Sequence, residues 1–514
     1  MDQSLPPPVS GRISVVAIVC LAALILPLSF SGGAVATPAI GRDLGGDAAA
    51  LTWITNAFML TFGSLLMTAG ALADRFGRKM VFTGGVALFV AFSLALSFAP
   101  SIVAIDVLRA AQGIGAAGAL AGGSSVMAQE FQGRRRALAF SMLGTTFGLG
   151  LALGPVIAGL LIDAFGWRSI FLTSTGIGAL SLLLALPALR ETRDPDATRL
   201  DLPGALSFTA TLSLFTFAVI EGPGRGWGDA RVLALFAGAA LMFGAFICIE
   251  VRATRPMLDL SLFRYPRFLG VQLLPVATCY SYVVLLILLP LRFIGIEGMS
   301  EVEAGWLMTA LSAPMLVVPS LAATATRWIS AGLMSAIGLA AASVGLVWLG
   351  SVPSGAGLGF VPPMLVIGLG AGVPWGLMDG LAVSVVPKER AGMAAGIFNT
   401  SRVAGEGIAL AGVSAALATL TALGAGILAP DLPPAQLAEI AQRLAAGDLA
   451  HALAAAPGVP AAQLVASYSR AFAGLAGGLA VITLLSAFAI YMFLRQTAPA
   501  TREPGGASEA TIAG

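Results

Sequence analysis

Charged residues are scarce in this chain: Asp, Glu, Lys and Arg make up 11% of its 514 residues, while 57% are hydrophobic. Soluble domains average about 25% charged residues. A water-soluble fold of this length could not cover its surface with so few charges, so the composition excludes that class. The formal net charge is only +2 at pH 7, which gives no reason to expect nucleic acid as a partner.

Cysteine, histidine and lysine are also nearly absent. The three cysteines lie in apolar segments and form no CxxC pair, which excludes a disulfide framework. The single histidine, His451, cannot build a histidine metal site. Neither of the two lysines, Lys79 and Lys388, belongs to a phosphate-binding GxxxxGK[ST] loop. We therefore expect no metal or cofactor, and an ATP-driven pump is excluded in this chain.

Long apolar runs are what the sequence does contain. Crossing the hydrocarbon core takes about 20 apolar residues, and that length gives 14 spans between residues 13 and 494. With the N-terminus in the cytoplasm, 19 of the 28 Lys and Arg residues fall on the cytoplasmic side and seven, Arg292 among them, on the opposite side. This bias follows the positive-inside rule. We expect an all-α integral protein of the inner (plasma) membrane with both termini cytoplasmic.

The first span has a second interpretation, which is a secretory signal. Arg12, the apolar run after it and the Ala-Val-Ala sequence at 34–36 imitate the three parts of such a signal. Cleavage would leave an odd number of spans and undo the charge agreement. We therefore predict that the segment is kept as a span.

The spans fall into two six-helix halves with two inserted helices between them. The predicted division is a cytoplasmic tail (1–12), a first half (13–189), the inserted helices with their linkers (190–256), a second half (257–494) and a disordered tail (495–514). One long loop, 429–470, should lie outside the cytoplasm. Its composition favours surface helices over a binding domain.

A charged cluster stands between the second and third spans, in the run GALADRFGRK that begins at Gly70. Gly77 offers the positive φ of a tight turn. Asp74 is an acid in a basic loop, so we expect it to find a partner at a helix N-terminus or on an arginine across a gate, in one conformational state. An ordinary positive-inside loop is the alternative. The basic members anchor the loop at the cytoplasmic surface; they are Arg75, Arg78 and Lys79.

Three further runs complete a pattern: LRAAQGIGAA from Leu108, GLALGPVIAG from Gly150 and LDLSLFR from Leu258. With GALADRFGRK they resemble motifs of the major facilitator superfamily, in particular its fourteen-helix drug:proton antiporter branch. The resemblance covers the chain up to its C-terminal tail. It implies alternating access, a proton gradient in place of a cofactor, and the lipid bilayer, a small-molecule substrate and protons as partners. It also implies that the protein functions as a monomer.

Arg109 lies several residues into the fourth span. A charge at that depth costs a few kcal/mol to insert, so the side chain should face the bundle interior. Asp106, one helical turn earlier, can pair with it. The resemblance implies that this arginine takes part in proton coupling, and a purely structural ion pair is the alternative.

Glycines give the fifth span a smooth face, and Pro155 removes one backbone hydrogen bond and permits a bend. Such a face lets two halves pack tightly when the transport cavity closes. Ordinary packing by small residues is the alternative. The resemblance makes this stretch the antiporter motif, whose glycines are Gly150, Gly154 and Gly159.

A proton-driven exporter needs a carboxylate that takes up a proton on one side and releases it on the other. The candidates inside spans are Asp106, Asp379 and Glu406, and intramembrane acids are functional candidates by default. Asp379 follows the run GLGAGVPW, where broken helix backbone could line a cavity. Glu406 lies four residues after Arg402 on the same helix face, so those two can also pair with each other.

The first span departs from the family pattern. Related exporters often carry an acid and an asparagine there, and Ser29 and Ala34 stand at those places in this chain. The role of that acid therefore cannot be carried over.

The function that we expect is proton-coupled export of amphipathic small molecules or drugs. Aromatic and methionine side chains could line the cavity near the midplane, with helix packing or lipid contact as the alternative; they are Trp53, Phe58, Met59 and Trp375. Transport of one specific metabolite is a second possibility. An intramembrane enzyme would need a nucleophile–base set or a metal cluster, and a sensor would need a soluble output domain, and the sequence offers none of these.

Overall fold

The chain folds into α-helices. The computed structural model describes residues 9–131, 133–193, 201–253, 258, 260–386, 391–428, 432–456 and 458–495. Those ranges contain 18 α-helices and no strand. The helices are α1 Val9–Leu44, α2 Ala48–Phe76, α3 Arg78–Leu96, α4 Ile102–Glu130, α5 Gly133–Phe165, α6 Arg168–Ala188, α7 Leu202–Arg225, α8 Ala230–Arg252, α9 Pro266–Thr278, α10 Leu285–Pro290, α11 Glu301–Ser312, α12 Pro314–Ala325, α13 Ala331–Ser351, α14 Val361–Ser384, α15 Ala391–Leu428, α16 Pro434–Ala445, α17 Leu449–Ala455 and α18 Ala461–Leu494.

Fourteen helical segments in the described ranges are long and apolar enough to cross a membrane, which is the number that the sequence predicts. Two of them are composite. The ninth segment, Pro266–Ile296, joins α9 to α10 through a π-helical turn at Cys279–Val283 and ends in a second one at Leu291–Ile296. The tenth, Glu301–Ala325, joins α11 and α12 at Ala313. Prolines lie inside both segments and remove backbone donors, which accounts for the irregular turns.

The ninth segment is longer than the sequence predicts. We expected it to end two residues before Arg292, which would then lie in a loop. Instead the helix continues to Ile296, and the side chain of Arg292 is only 1% exposed. Its Nε lies 2.8 Å from Glu297 Oε1, and its guanidinium lies against the rings of Phe360 and Phe472. Internal pairing of this kind lets a membrane helix continue past a charge.

The first six helices pack as one group. The most extensive contacts join α2 with α4, α3 with α4, and α1 with α5. Small residues permit this approach: a Cβ at Gly115 would overlap the backbone of Phe89, and one at Gly85 would overlap that of Ala119. We call α1–α6 the first group.

Helices α9–α15 and α18 pack as a second group, in which α13 lies between α14 and α18. A 3₁₀ turn at Leu260–Arg264 leads into it; this turn holds the end of the LDLSLFR run, whose residue 259 lies outside the described ranges. Between the groups in the chain, α8 packs on α7, and α7 in turn packs on α2 and α15. The ring centroids of Trp53 and Phe217 are 4.4 Å apart at the contact with α2. The inserted helix α7 therefore touches both groups.

The bundle has two ends, which we name by their loops. At the proximal end α2 meets α3 and α18 ends; at the distal end α1 meets α2. The short helices α16 and α17 lie at the distal end, within the loop predicted to hold surface helices. Helix α18 begins at Ala461, ten residues earlier than the sequence indicates. The predicted C-terminal tail from residue 496 onward and the first eight residues lie outside the described ranges.

Candidate functional site

The proximal loop between α2 and α3 turns at Gly77, whose φ is +128°. Side chains rarely permit that conformation, and a Cβ there would overlap the carboxylate of Glu191. Asp74 accepts hydrogen bonds from Arg78 Nε at 3.1 Å and Nη2 at 2.9 Å. In this conformation, then, the partner of Asp74 belongs to its own loop rather than to the far side of a gate.

Glu191 is a functional candidate that the sequence did not single out. Its carboxylate accepts from the backbone N–H groups of Lys79 at 3.1 Å and Met80 at 3.0 Å, at the start of α3. An anion at a helix N-terminus is stabilised by the helix dipole. The N–H of Arg78 also donates to the carbonyl of Thr192 at 2.8 Å. The segment after α6 therefore holds the loop between α2 and α3 in place. The sequence signal for Glu191 was an acid two residues after the predicted end of the sixth span.

The other members of the motif make fewer contacts. Lys79 Nζ donates to the carbonyl of Leu186 at 2.7 Å, which adds a second tie to the end of α6. The guanidinium of Arg75 lies 5.1 Å from the ring centroid of its neighbour Phe76. A Cβ at Gly70 would meet no atom within 4 Å, so no close approach requires glycine there in this conformation.

Arg109 is fully buried and joins three helices. Its Nε donates to the carbonyl of Ile54 on α2 at 2.9 Å, and its Nη1 donates to Ser29 Oγ on α1 at 3.0 Å and to Gln112 Oε1 on α4 at 2.6 Å. The ring of Phe58 lies 4.4 Å from the guanidinium carbon. Every acceptor is neutral, so the charge is solvated by dipoles rather than by an acid.

The prediction that Asp106 pairs with Arg109 is wrong. Among the described residues no bridge joins the two side chains, and Asp106 Oδ1 is buried without a hydrogen-bond partner. The reason is geometric: the guanidinium extends toward α1 and α2, where a hydroxyl and a carbonyl meet it. Phe58, which the sequence suggested as a cavity residue, packs under that guanidinium. This contact corresponds to the alternative in which Phe58 serves helix packing.

The antiporter motif of α5 makes two kinds of contact. Toward α1 of the same group, a Cβ at Gly150 would overlap Pro27 and one at Gly154 would overlap Ser31 Oγ. These two glycines therefore serve close packing inside the first group. Because a side chain there would push α1 and α5 apart, their role is structural in this conformation.

Gly159 and Pro155 face the second group instead. A Cβ at Gly159 would overlap the carbonyl of Glu301, and the space beside Gly305 is bounded by the backbone of Pro155. At the same distal end, Arg42 of α1 forms an ion pair with the Glu301 side chain. The distal ends of α1 and α5 are thus in contact with the start of α11, across the two groups.

A polar cluster lies where the groups meet closer to the proximal end. Asp379 Oδ1 on α14 is 3.5 Å from Arg402 Nη1 on α15, and Arg402 Nη2 donates to Asn399 Oδ1 at 2.8 Å. The rings of Phe147 on α5 and Phe398 lie 5.5 and 5.7 Å from the guanidinium carbon. The Arg402 side chain is 7% exposed and that of Asp379 is 34% exposed. The acid is therefore the more accessible partner of the pair.

Glycines of α5 lie opposite this cluster. A Cβ at Gly144 would come within 3.2 Å of Asp379 Oδ2, and one at Gly148 within 3.8 Å of Trp375 Nε1. That Nε1 is buried without a hydrogen-bond partner, and the Trp375 ring lies 6.3 Å from that of Tyr282. Of the cavity candidates, Trp375 alone joins the cluster in the described part of the chain.

Glu406 does not pair with Arg402 as the helical spacing suggested, since the described residues show no ion pair for it and Arg402 turns toward Asp379 instead. Its neighbour Gly407 faces Met59 of α2. Met59 lines a small space between α2, α7 and α15, and Trp53 packs on α7. The described residues hold no group of three or more His, Cys, Asp or Glu side chains that could bind a metal ion.

Comparison of the whole sequence with known proteins identifies its family. The Major Facilitator Superfamily model matches residues 19–410. The chain is 32% identical over 393 residues to the multidrug resistance protein Stp of Mycobacterium tuberculosis, which covers 75% of this chain and 72% of the relative. It is 29% identical over 500 residues to the tetracenomycin C resistance and export protein of Streptomyces glaucescens, covering 95% and 92%.

Solved structures share the fold. A bacterial homologue of the human lysosomal transporter Spinster, in an inward-facing and unoccupied conformation, aligns with a TM-score of 0.60 at 16% identity and covers 95% of this chain and 98% of its own. A peptide transporter, POT, in complex with sulfate aligns with a TM-score of 0.61 at 14% identity, covering 93% and 95%. At these identities the likeness concerns the fold alone.

Proposed function

Since the chain belongs to the major facilitator superfamily, we propose that it exports amphipathic small molecules, drugs or antibiotics among them, out of the cell in exchange for protons. Family membership makes it a multi-pass membrane transporter and not an enzyme. The relatives named for multidrug resistance and for antibiotic export support the cargo class. In this proposal the membrane is the plasma membrane and the proximal end, with both termini, faces the cytoplasm.

The observation that carries the coupling proposal is the Asp379–Arg402 pair. One oxygen of the acid lies 3.5 Å from the cation, and the acid is the more exposed partner by 34% to 7%. A proton reaching Asp379 neutralises it and leaves Arg402 with Asn399 as its remaining side-chain acceptor. The electrostatic bond between α14 and α15 is then lost, which would shift the balance between conformations. Release of the proton restores the pair.

The two groups form the moving halves in this scheme. Arg42 with Glu301, and Gly159 with the Glu301 backbone, hold their distal ends together. Opening toward the outside separates these contacts, while the proximal loop around Asp74 exchanges its partner Arg78 for one on the other half. Because the Arg42–Glu301 pair is largely exposed on one side, it contributes at most about 1 kcal/mol. A closure of that strength is reversible, as a transport cycle requires.

The cargo would bind beside the same cluster. Trp375 Nε1 is a buried donor without a partner, and Gly148 leaves the space in front of it free of a side chain. Aromatic rings with one polar group suit amphipathic ligands. Ser29 favours a second candidate function, the transport of a narrow range of non-cationic substrates. The reason is that a hydroxyl replaces the acid that would attract a cation.

Proteoliposomes with an imposed pH gradient test the proposal. A fluorescent lipophilic cation should move against its gradient, and the movement should collapse with a protonophore and in an Asp379→Asn variant. Folded protein that moves no cation under any gradient would overturn multidrug antiport and favour the narrow cargo. Movement that ignores the protonophore would overturn proton coupling.

A further inference from the structure

A separate cleft lies at the distal end, where both groups meet α7 and α16. It is walled by α1, α2, α7, the ninth segment, α15 and α16, and no side chain that lines it is charged. A charged ligand would lose its hydration there without gaining a counter-charge. Hydroxyl and amide groups provide its polar lining: Thr37, Thr52, Thr55, Asn56, Ser414 and Gln442. The walls therefore suit a neutral molecule that is mostly apolar.

Asn56 is the one side chain of this lining with a buried and unused acceptor. The residue is 1% exposed, and its Nδ2 donates to the carbonyl of Thr52 at 3.1 Å. Its Oδ1 is buried and has no hydrogen-bond partner. The same side chain also lines the small space toward α7, beside Thr216. A buried acceptor without a donor is costly to maintain, and an incoming N–H or O–H group would satisfy it.

Helix α16 forms one wall of this cleft. Gln442 and Ala445 line it, and Gln442 lies against α7 where Gly224 leaves room for it. The helix is followed by Gly447 with a φ of +76°. The cleft holds about 50 Å³, against roughly 300–1,000 Å³ for drug-sized pockets. A cleft of this volume admits one polar group, and a whole ring system requires its walls to move outward, α16 among them.

We propose that this cleft is a second ligand site, on the exit side, for neutral amphipathic molecules that carry an N–H or O–H group. Asn56 Oδ1 accepts the hydrogen bond, the apolar walls hold the ring and α16 covers the occupied site. The description of this site as lying on the exit side rests on the proposed function. The chemistry of the ligand follows from the residues that line the cleft.

Two neutral fluorescent probes separate the hydrogen bond from apolar binding. 7-Amino-4-methylcoumarin carries N–H donors, and 7-dimethylamino-4-methylcoumarin carries none. Binding is measured on the full chain in nanodiscs, and empty nanodiscs give the lipid partition to be subtracted. The wild type should bind the amino compound about tenfold more tightly, the value of one net hydrogen bond.

Variants assign that difference to one atom. Asn56→Leu keeps the size and removes the acceptor, so the two coumarins should bind it equally; Asn56→Ala serves if leucine is not tolerated. Thr421→Val is the matched control, because the Thr421 hydroxyl is buried on α15 and bonds only the carbonyl of Leu417 in its own helix. The control should keep the tenfold preference.

Three results overturn the inference: no binding of either coumarin, equal binding by the wild type, or a preference that persists without the Asn56 acceptor. A preference that depends on Asn56 in a protein that transports nothing would support the site and overturn the proposed export function. The two failures are therefore distinguishable.

Discussion

Ser29 Oγ on α1 lies 3.0 Å from Arg109 Nη1 on α4 and accepts its hydrogen bond. In the family pattern that the sequence resembles, Ser29 takes the place of an acid, and in this chain a hydroxyl meets the buried guanidinium. The fourth-span cation is consequently balanced by neutral groups, with Ile54 and Gln112 as the other acceptors. The first group thus surrounds its buried arginine with neutral acceptors, whereas the family pattern that the sequence resembles has an acid in the first span.

Replacing Ser29 by Asp should create an ion pair with Arg109, whose Nη1 already lies 3.0 Å from the Ser29 hydroxyl. Ser29→Asp places a carboxylate beside Arg109 and should leave the apparent Tm unchanged or higher. In an Arg109→Met background the same acid is buried without a cation, and the protein should lose stability. The double-mutant cycle should therefore give a coupling of at least about 1 kcal/mol, measured by thermal unfolding in detergent. Additive effects would show that the two side chains do not interact.

Removal of the acid at Asp379 should uncouple transport from the pH gradient. Asp379→Asn leaves Arg402 without its ion-pair partner and keeps the shape, so gradient-driven flux should fall at least tenfold while the cargo still binds. Asp163→Asn, which changes an exposed acid on α5, is the control, and Glu406→Gln tests the second acid of this region, which is buried. The readout is flux against imposed pH difference in proteoliposomes. Equal coupling in the wild type and in both acid variants would transfer the proton role to Asp106.

A large side chain at Gly159 should prevent distal closure. Its missing Cβ leaves the space that the Glu301 carbonyl occupies, so Gly159→Leu should separate α5 from α11 and reduce flux by tenfold or more. Gly176→Leu is the control, because a Cβ there meets nothing within 4 Å. Thiol labelling of a cysteine placed at Arg42 should become faster in the Gly159 variant. Identical labelling rates would show that the contact does not govern access.

Asp74→Asn should impair transport without harming the fold. The Asp74–Arg78 pair is partly exposed, and pairs of this kind contribute about 0–1 kcal/mol to stability. Any large loss of flux must then come from the conformational cycle. Expression and Tm should stay within error of the wild type, and initial flux should drop at least tenfold. Asp163→Asn, an exposed acid on α5, is the control, and normal flux in the Asp74 variant would remove the gating role.

The number of spans and the turn at Gly77 could be predicted from the sequence because each depends on local properties. Apolar length decides whether a segment crosses a bilayer, and the positive φ at Gly77 depends on one missing side chain. The ninth segment was placed too short for a physical reason. A span that contains Arg292 becomes acceptable only once Glu297 and two aromatic rings surround the charge, and one of those rings comes from α18.

Partners in the site could not be predicted because they come from distant parts of the chain. Helical spacing suggested that Asp106 pairs with Arg109 and that Glu406 pairs with Arg402, yet each arginine turns toward other helices. Spacing shows which residues share a face, but not which acceptor on another helix is nearer. Glu191 was missed for the same reason, because its partners are backbone N–H groups more than 100 residues away.

The position of α7 makes the two flanks of the protein unequal for a molecule dissolved in the lipid. On one flank α7 lies across the seam between α2 and α15 and contacts both. A hydrophobic compound diffusing within a leaflet meets a closed wall there. Lateral entry would have to use the opposite flank, where α5 faces α12 and α14. An exporter built this way would take lipid-dissolved cargo only from the flank where α5 faces α12 and α14. A neighbouring protein that covers this flank would therefore slow the supply of cargo.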